Sequence, residues 1–406
     1  MKILHTADWH LGKRLERFSR LEEQREVLDE ICQIANEQEV DAVLIAGDLY
    51  DTFNPSTEAT ELLYKTLKKL SNNGKRAIIA IAGNHDSPER VDAPDVLARE
   101  CGIFFAGYPN TNLGKIKLDT GLEIINSDNG FIELKLPEHT PHLRLLLTPY
   151  ANEVRLKTML NAKNSEQELR DLLQQKWSEL ANQYCDNTGV NILMAHLFFM
   201  KKGGEIPEEP DDEKPILHIG GAQAIFSENI PQQMQYVALG HLHRFQTIDS
   251  SPCPVIYSSS PLCYSFSEAG QSKFVAVLTA EPGTEVKIEK IALTKGKSLV
   301  RKRFDQIDLA IDWLSNNPDC LVELTIVSDE YLKSIDRKRL EQAHDGIVTL
   351  IPEIKNQSPT ETANNSIDLS QDVDTLFIQY FKHKKGQEPN EELLSLFKEL
   401  KAEDAE

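Results

Sequence analysis

Residues 3–12 read Ile3-Leu4-His5-Thr6-Ala7-Asp8-Trp9-His10-Leu11-Gly12, a short apolar run that stops at an acid and an imidazole. A run of this length, bounded by polar residues, is typical of a buried strand. Four later runs have the same form, and they end in Gly47-Asp48-Leu49-Tyr50-Asp51, Gly83-Asn84-His85-Asp86, His196 and Gly240-His241-Leu242-His243. Amphipathic segments separate the runs, so the pattern predicts an α/β fold built in layers.

The elements of this layered fold can be placed along the chain. Candidate buried strands are residues 3–7, 41–46, 76–82, 143–148, 191–195, 236–239 and 254–257. A first helix is expected after Ser19-Arg20-Leu21-Glu22, which has the spacing of a capping box. Two more are expected over residues 55–73 and from Ser165 onward.

The composition bounds the class of protein. Hydrophobic residues make up 40% of the 406 residues and charged residues 27%, which is ordinary for a globular chain of two or three domains. The net charge of −20 does not indicate long basic grooves for nucleic acid. Six scattered cysteines, no secretory leader and no apolar run of about 18 residues predict a soluble, cytoplasmic protein without membrane contact.

The pattern changes beyond residue 295. Residues 1–295 are interpreted as one domain, and residues 296–355 as a small α/β unit. Residues 356–370 are rich in Ser, Thr and Asn, which is typical of a linker. Residues 371–406 contain two amphipathic helical segments that must bury their apolar faces, either on their own domain or on a partner. The candidate contact residues on these faces are Leu376, Phe377, Phe381, Leu393, Leu394 and Phe397.

The polar residues at the strand ends predict one metal site. Because the carboxyl ends of strands in open α/β sheets converge on a crevice, these side chains should meet there. Residues i and i+2 on extended backbone point the same way, and glycines before the motifs allow close approach of the backbone. Carboxylate, imidazole and amide ligands without thiolate suit Mn²⁺, Fe²⁺ or Zn²⁺, and seven ligands suit two ions sharing a carboxylate. The candidate ligands are Asp8, His10, Asp48, Asn84, His196, His241 and His243.

Taken together, these motifs resemble the signature set of the calcineurin-like metallophosphoesterases. Within that superfamily, the opening residues resemble those of the SbcD family of bacterial nuclease subunits. So does Tyr257-Ser258-Ser259-Ser260-Pro261-Leu262-Cys263-Tyr264-Ser265-Phe266-Ser267-Glu268. The resemblance implies a layered αββα metallophosphoesterase core, a small α/β capping domain and C-terminal partner-binding helices.

The resemblance also implies a role for each candidate residue. The first of two divalent ions, expected to be Mn²⁺, would be held by Asp8, His10 and His243, and the second by Asn84, His196 and His241. Asp48 would bridge the ions. His85 would act as the catalytic proton donor and Asp86 would orient its imidazole. Asp51 stands where some relatives carry a histidine, and we expect it to support the site.

The function implied by the resemblance is that of a DNA nuclease in repair and recombination. It would act as a double-strand exonuclease and a single-strand or hairpin endonuclease at the nucleoid. It would form a homodimer within a heterotetramer with a coiled-coil ATPase of the SbcC type. The basic candidates for DNA contact are Lys13, Arg14, Arg17, Arg90, Lys201 and Lys202. Solvated surface charge is an equal alternative for them, and the acidic loop from Glu205 to Lys214 does not favour DNA contact.

The sequence leaves two other functions open. A stand-alone metallophosphatase or cyclic-nucleotide phosphodiesterase would use the same ligands, but it would leave the second unit, the linker and the aromatic helices without a role. A non-catalytic scaffold that tethers DNA would not need the full ligand set.

Overall fold

The computed structural model shows strands and helices in alternation. It describes residues 1–156, 165–207, 224–329, 332–354 and 373–385, with the single positions 389, 393, 394 and 397. The strands are β1 (Lys2–Thr6), β2 (Arg14–Leu15), β3 (Phe18–Ser19), β4 (Ala42–Ala46), β5 (Ala77–Ile81), β6 (Ile103–Ala106), β7 (Ile116–Lys117), β8 (Glu123–Asp128), β9 (Phe131–Lys135), β10 (Leu143–Thr148), β11 (Val190–His196), β12 (Phe199–Met200), β13 (Ile225–Phe226), β14 (Tyr236–Gly240), β15 (Gln246–Asp249), β16 (Val255–Tyr257), β17 (Lys273–Thr279), β18 (Lys287–Leu293), β19 (Ser298–Phe304), β20 (Cys320–Ser328) and β21 (Ile347–Ile354). The helices are α1 (Leu21–Glu37), α2 (Thr57–Leu70), α3 (Pro88–Asp92), α4 (Asp95–Arg99), α5 (Glu153–Leu156), α6 (Ser165–Tyr184), α7 (Ile307–Asn316), α8 (Ser334–Ala343) and α9 (Val373–Lys385).

Two large sheets carry the predicted strands, each within one residue of its expected bounds. The first sheet has the strand order β18-β17-β1-β4-β5-β6, in which β1, β4, β5 and β6 run parallel. The second has the order β15-β16-β14-β11-β10-β9-β8-β7, with β10, β11, β14 and β16 parallel. Strands β17 and β18 extend the first sheet, with β17 antiparallel to β1, which the sequence did not predict.

The two sheets face each other across an apolar core. Alternate residues of each buried strand point into it, because side chains on a strand alternate between its faces. Leu44 and Ile79 of the first sheet and Ile192 and Ala238 of the second belong to this shared core. This shared core therefore holds the parallel strands of the first sheet opposite the parallel strands of the second.

Helices cover the outer faces of both sheets. Val43 of β4, which points away from the shared core, packs with Leu28 of α1 and Leu63 of α2 in a second cluster. On the other sheet, Leu193 packs with Trp177 of α6. The layers run helix, sheet, sheet, helix, so the predicted αββα core is confirmed.

The expected capping box before α1 is wrong. Arg20 occupies the N-cap position and its side chain does not cap the helix, while Ser19 Oγ accepts only from the Leu21 amide at 3.4 Å. Instead, the buried Arg20 guanidinium donates to the carboxylate of Glu23 and to the carbonyl oxygen of Cys263. The start of α1 is thus tied to a distant segment. At α2, Ser56 does act as a cap and accepts from the Ala59 amide at 3.2 Å.

A smaller parallel sheet, β19-β20-β21, follows the core with α7 and α8 packed on it. Strands and helices alternate here, which is the composition expected of a small α/β unit. Leu299 and Leu321 of this sheet pack against Leu15 and Phe266, which lie beside the strand-end motifs. Residues 356–370, the predicted linker, lie outside the described residues.

The tail contributes helix α9 and a few single positions beyond it. The ring of Phe377 stacks on that of Phe397, with centroids 4.0 Å apart and planes 7° from parallel. The two predicted helical segments therefore contact each other through these rings. Among the described residues, none of the helices combines the length and apolar character needed to cross a bilayer.

Candidate metal centre

The five strand-end motifs meet at one place, at the carboxyl edges of the two facing sheets. Strands β1, β4 and β5 of the first sheet bring Asp8, Asp48 and Asn84, while β11 and β14 of the second bring His196 and His241. The strand-end pattern alone predicted one crevice at the edge of a sheet, whereas the family resemblance implied two facing sheets. In the structure, two sheets share the site, and this sandwich encloses it more fully than one edge would.

The first cluster consists of Asp8, His10 and His243, all fully buried. One ligand atom from each of the three lies within 4.8 Å of the others. The Nε2 atoms of His10 and His243 are 3.0 Å apart. Three candidate ligands from two sheets thus lie together, and their role as ligands stays a prediction.

The backbone reason for this convergence differs from the expected one. Asp8 has a φ of 55° and His10 a φ of 44°, so neither lies on extended backbone. Amides of this turn donate to the carbonyl oxygens of Gly47 and Asp48, which fix it against the next strand end. Left-handed conformations of non-glycine residues cost free energy and cluster at functional sites.

The second cluster consists of Asn84, His196 and His241. Asn84 Oδ1 lies 2.8 Å from His196 Nε2 and 3.1 Å from His241 Nδ1. The other ring nitrogen of His196, Nδ1, donates to the carbonyl oxygen of Ala46 at 2.8 Å, which sets the ring's orientation.

Asp48 lies between the two clusters. Its Oδ2 is 3.6 Å from His10 Nε2 and 3.2 Å from His196 Nε2, one imidazole of each cluster. Its Oδ1 accepts from the amide of His85 at 2.9 Å, which restrains rotation of the carboxylate. This is the position that a bridging ligand needs.

Glycines allow the strand ends to approach this closely. A Cβ on Gly83 would stand 2.0 Å from Asp48 Oδ1, and a Cβ on Gly240 would stand 1.8 Å from the carbonyl oxygen of Ala46. A Cβ on Gly47 would meet the imidazole of His196 at 2.2 Å. Any side chain at these positions would push the ligands apart.

The residues fit a pair of divalent cations. Asp8 Oδ1 accepts from the His241 amide, whereas Asp8 Oδ2 is buried and accepts no hydrogen bond from any described residue. A cation would satisfy that oxygen, since a buried carboxylate without a partner is costly. The donors are oxygen and imidazole nitrogen throughout, which suits first-row divalent ions.

The electrostatics of the site also favour added positive charge. Burial raises the pKa of Asp8 to about 7. Burial opposes protonation of His196, but the carboxylates of Asp48 and Asp8 outweigh it and raise the pKa of His196 to about 9. Burial likewise opposes ionisation of Asp48, yet the imidazoles of His196 and His10 hold its pKa well below the usual range. In the absence of a cation, the negative charge of Asp48 is balanced by protonated imidazoles, and Asp8 tends to keep its own proton. Bound cations would take the place of these protons.

His85 lies on the half-exposed side of the site, but its neighbour Asp86 does not orient it. The buried Asp86 carboxylate accepts from the amides of Gly83, Leu49 and Tyr50 at 2.8–3.0 Å. Through these three hydrogen bonds, the Asp86 carboxylate binds the backbone of the motif loops and not the imidazole of His85. The expected role of Asp86 as orienting partner is therefore wrong, because it acts as a backbone brace.

The group that orients His85 belongs to Asp51. His85 Nδ1 donates to the carbonyl oxygen of Asp51 at 2.9 Å, and the Asp51 carboxylate lies 3.0 Å from Lys13 Nζ. Asp51 thus contacts both residues, and its role in supporting the site stays a prediction. With the Nδ1 proton fixed, Nε2 of His85 is the nitrogen that can exchange a proton.

Sequence reasoning missed several supporting residues. Arg155 is buried, and its guanidinium donates to the carbonyl oxygens of Gly83 and Asp86, 2.7 Å away in each case. It clamps the turn that presents Asn84. No motif surrounds Arg155, so no sequence signal could have found it. Glu268 stands in the segment that carries the family resemblance, but the resemblance assigned no role to it.

The basic candidates for DNA contact all have partners within the chain. Lys13 pairs with Asp51, Lys201 with Asp249 and Lys202 with Glu228, while Arg14 donates to the Arg17 carbonyl, Arg17 to the Ile347 carbonyl and Arg90 to the Asn54 side chain. Each of these contacts uses only part of the donor capacity of a lysine or an arginine, so they do not decide on DNA contact, and the role of these residues stays a prediction. Most of the acidic loop, residues 208–214, lies outside the described residues.

The αββα sandwich with paired ligand clusters at its strand ends defines a class of protein. The sequence profile of the calcineurin-like phosphoesterase family matches residues 1–245. The match covers more than half of the chain, which therefore belongs to this family.

Curated relatives narrow the class. The chain is 36% identical over 408 residues to the D subunit of nuclease SbcCD from Bacillus subtilis (strain 168), covering 98% of this chain and 97% of the relative. The protein of the same name from Rhodobacter capsulatus is 34% identical over 286 residues, covering 70% of this chain and 67% of the relative. That from Staphylococcus epidermidis is 35% identical over 284 residues, covering 69% and 66%. Within the class, the chain belongs to the family of SbcCD nuclease D subunits.

Proposed function

We propose that the chain is a nuclease subunit that hydrolyses DNA phosphodiester bonds with two divalent metal ions. The observation that carries the proposal is the pair of ligand clusters joined by Asp48 at the facing edges of two sheets. The first position is formed by Asp8, His10 and His243, and the second by Asn84, His196 and His241. Nuclease relatives, one of which aligns with nearly the whole chain, support DNA as the substrate.

The chemistry divides between the cations and the chain. Bound divalent ions supply Lewis-acid charge at the phosphate and lower the pKa of the attacking water, and Mn²⁺ is the metal we propose. Asp48 keeps the two positions adjacent, and Asp8 balances their charge. His85 lies on the open side with its Nδ1 proton held by Asp51, so its Nε2 can hand a proton to the departing oxygen.

DNA and an ATPase would meet this subunit at different places. The basic residues beside the motifs would contact phosphates, and residues 296–355 would cap the site through the contact of Leu299 with Phe266. The name SbcCD of the relatives supports a complex with an SbcC-type ATPase. We place its contact in residues 371–406, joined by the linker 356–370, and we propose a homodimer within a heterotetramer.

A substrate comparison tests the proposal. Linear duplex, hairpin DNA and a small phosphomonoester are incubated with Mn²⁺, with and without the partner ATPase. We expect cleavage of DNA, loss of cleavage with chelator, and little turnover of the monoester. Rapid turnover of the monoester with intact DNA, in both conditions, would favour a stand-alone phosphatase instead.

A truncation tests the placement of the partner. A chain ending at residue 370 should fail to retain the ATPase in a pull-down while keeping Mn²⁺-dependent cleavage of single-stranded DNA. The double variant Phe377→Ala/Phe397→Ala, which removes the stacked rings, should weaken retention in the same direction. Normal retention by the truncated chain would place the partner contact elsewhere.

A further inference from the structure

His243 is enclosed by a buried ion pair that the catalytic scheme does not use. Its Nδ1 faces Glu268 Oε1 at 3.4 Å, and its backbone carbonyl accepts from Lys273 Nζ at 2.8 Å. Glu268 and Lys273 also contact each other directly, and both are buried. One charged pair therefore holds both the ring and the backbone of a single ligand.

Hydrogen bonds use most of the donor and acceptor capacity of Glu268 and Lys273. Lys273 Nζ donates to Glu268, to the His243 carbonyl and to Ser260 Oγ at 2.9 Å, which uses all three of its protons. Glu268 Oε1 accepts from the amides of Tyr264 and Ser265 at 3.0 and 3.2 Å. Burying two charges is costly, and this full set of hydrogen bonds fixes Glu268 in one position.

Residues 260–273, the segment that contains Glu268 and Lys273, also pack against the first cluster. The Tyr264 ring stands edge-on to the imidazoles of His10 and His243, with centroids 5.4 and 6.0 Å away. Its hydroxyl donates to the carbonyl oxygen of Trp9, and Gln24 Nε2 donates to the carbonyl oxygen of His10 at 2.7 Å. The first cluster thus rests on segment 260–273.

The second cluster has different supports. His196 is oriented by the Ala46 carbonyl, and Asn84 is held in a turn clamped by Arg155. Among the described residues, the side-chain hydrogen bonds of Glu268 and Lys273 reach His243 and their own segment, and they include no member of the second cluster. The two clusters are therefore held by different side chains.

We propose that Glu268 and Lys273 are positioning residues that orient His243 and set the affinity of the first metal position independently of the second. By accepting from Nδ1, Glu268 keeps Nε2 of His243 directed at His10 and Asp8, where a cation would lie. The proposal rests on the two-metal function proposed above. It adds that the two positions fill with affinities that can be changed separately.

Manganese binding to the full chain, measured by calorimetry and by the electron paramagnetic resonance of free Mn²⁺, tests this without any activity readout. Wild type should bind two ions. Glu268→Gln should weaken one of them about 10–100-fold, the usual cost of losing an outer partner of a ligating histidine, and leave the other unchanged. Glu133→Gln is the matched control, since Glu133 is also buried and paired with a cationic side chain, Arg144, at 2.8 Å.

Two further variants keep the test decisive if the lone Lys273 charge prevents folding. Glu268→Gln/Lys273→Met removes both charges, which is often tolerated, and should show the same selective loss. Glu268→Asp keeps the charge but shortens the side chain, and it should give an intermediate loss. Two ions bound at wild-type affinity in these variants, or both ions lost equally, would overturn the positioning role. Wild type that binds fewer than two ions would instead overturn the proposed function.

Discussion

The imidazoles of His10 and His243 face each other with their Nε2 atoms 3.0 Å apart, although 233 residues separate them in the chain. His10 follows a strand of the first sheet and His243 a strand of the second. Two such nitrogens at this distance can share one proton or point to one cation. Because Asp8 and Asp48 surround them, a shared cation explains the arrangement best.

Asp48→Asn should weaken both metal positions. The change keeps the shape of the side chain but removes the charge that lies 3.6 Å from His10 and 3.2 Å from His196. We expect an affinity loss of more than about 100-fold at each position, beyond the cost of losing an outer partner. Elemental analysis of the dialysed protein and manganese titration measure it.

The control for this variant lies at the other end of the same strand. Asp41 precedes β4 and contacts the imidazole of His139 and the amide of Lys2. Asp41→Asn should bind two ions like wild type. If Asp48→Asn retains one ion at full affinity, Asp48 serves one position only and does not bridge.

Gly240→Ala should destabilise the fold and disturb the second metal position. Its new Cβ would lie 1.8 Å from the Ala46 carbonyl oxygen and 2.9 Å from His196 Nδ1. We expect a loss of more than about 3 kcal/mol, at the upper end of overpacking costs. Urea unfolding measures it. Gly270→Ala, where a Cβ meets open space at a φ of 79°, should lose only about 1 kcal/mol. Equal losses would contradict the steric argument.

These strand ends show how far the sequence predicts the site. Asp8 and His196 could be found because each terminates an apolar run, and a buried strand followed by metal-binding groups is a local signal. The strand that pairs with β1 could not be found in this way, because β17 lies more than 270 residues away in the chain. The left-handed φ of Asp8 and His10 depends on hydrogen bonds to Gly47 and Asp48, which also form only in the folded chain.

His5 should make stability depend on pH. It is buried, it donates to the Leu239 carbonyl, and it lies 3.0 Å from the Tyr236 hydroxyl. Burial lowers its pKa to about 3, whereas an unfolded histidine titrates near 6.5. The contribution of neutral His5 to the free energy of unfolding is thus complete above about pH 6.5, and it is lost as the pH falls towards about 3.

His5→Gln measures that contribution, because glutamine keeps hydrogen-bonding groups but does not titrate. Between pH 7.5 and 5, wild type should lose about 2 kcal/mol more than His5→Gln in urea unfolding. The comparison is between changes with pH, so any constant cost of the substitution cancels. Parallel losses in the two chains would show that His5 is accessible to protons in the folded state.

The residues that support the ligands escape sequence reasoning for a different reason. Arg155 donates to backbone carbonyls around Asn84. Every residue has a backbone carbonyl, so the sequence does not indicate which ones accept from Arg155. Asp86 stands next to His85, which made an imidazole partner a natural interpretation. The structure gives it three backbone amides instead, and chain proximity was a poor guide to contact.

His85→Gln should separate metal binding from catalysis. Both ions should bind at wild-type affinity, because His85 belongs to neither ligand cluster of the proposal. Turnover of hairpin DNA should fall about 10²–10⁴-fold, the usual contribution of a positioned proton donor. The control is His142→Gln, whose half-buried imidazole contacts Glu133 away from the site and should leave turnover unchanged. Full activity in His85→Gln would remove this residue from proton transfer, and loss of an ion would make it a ligand.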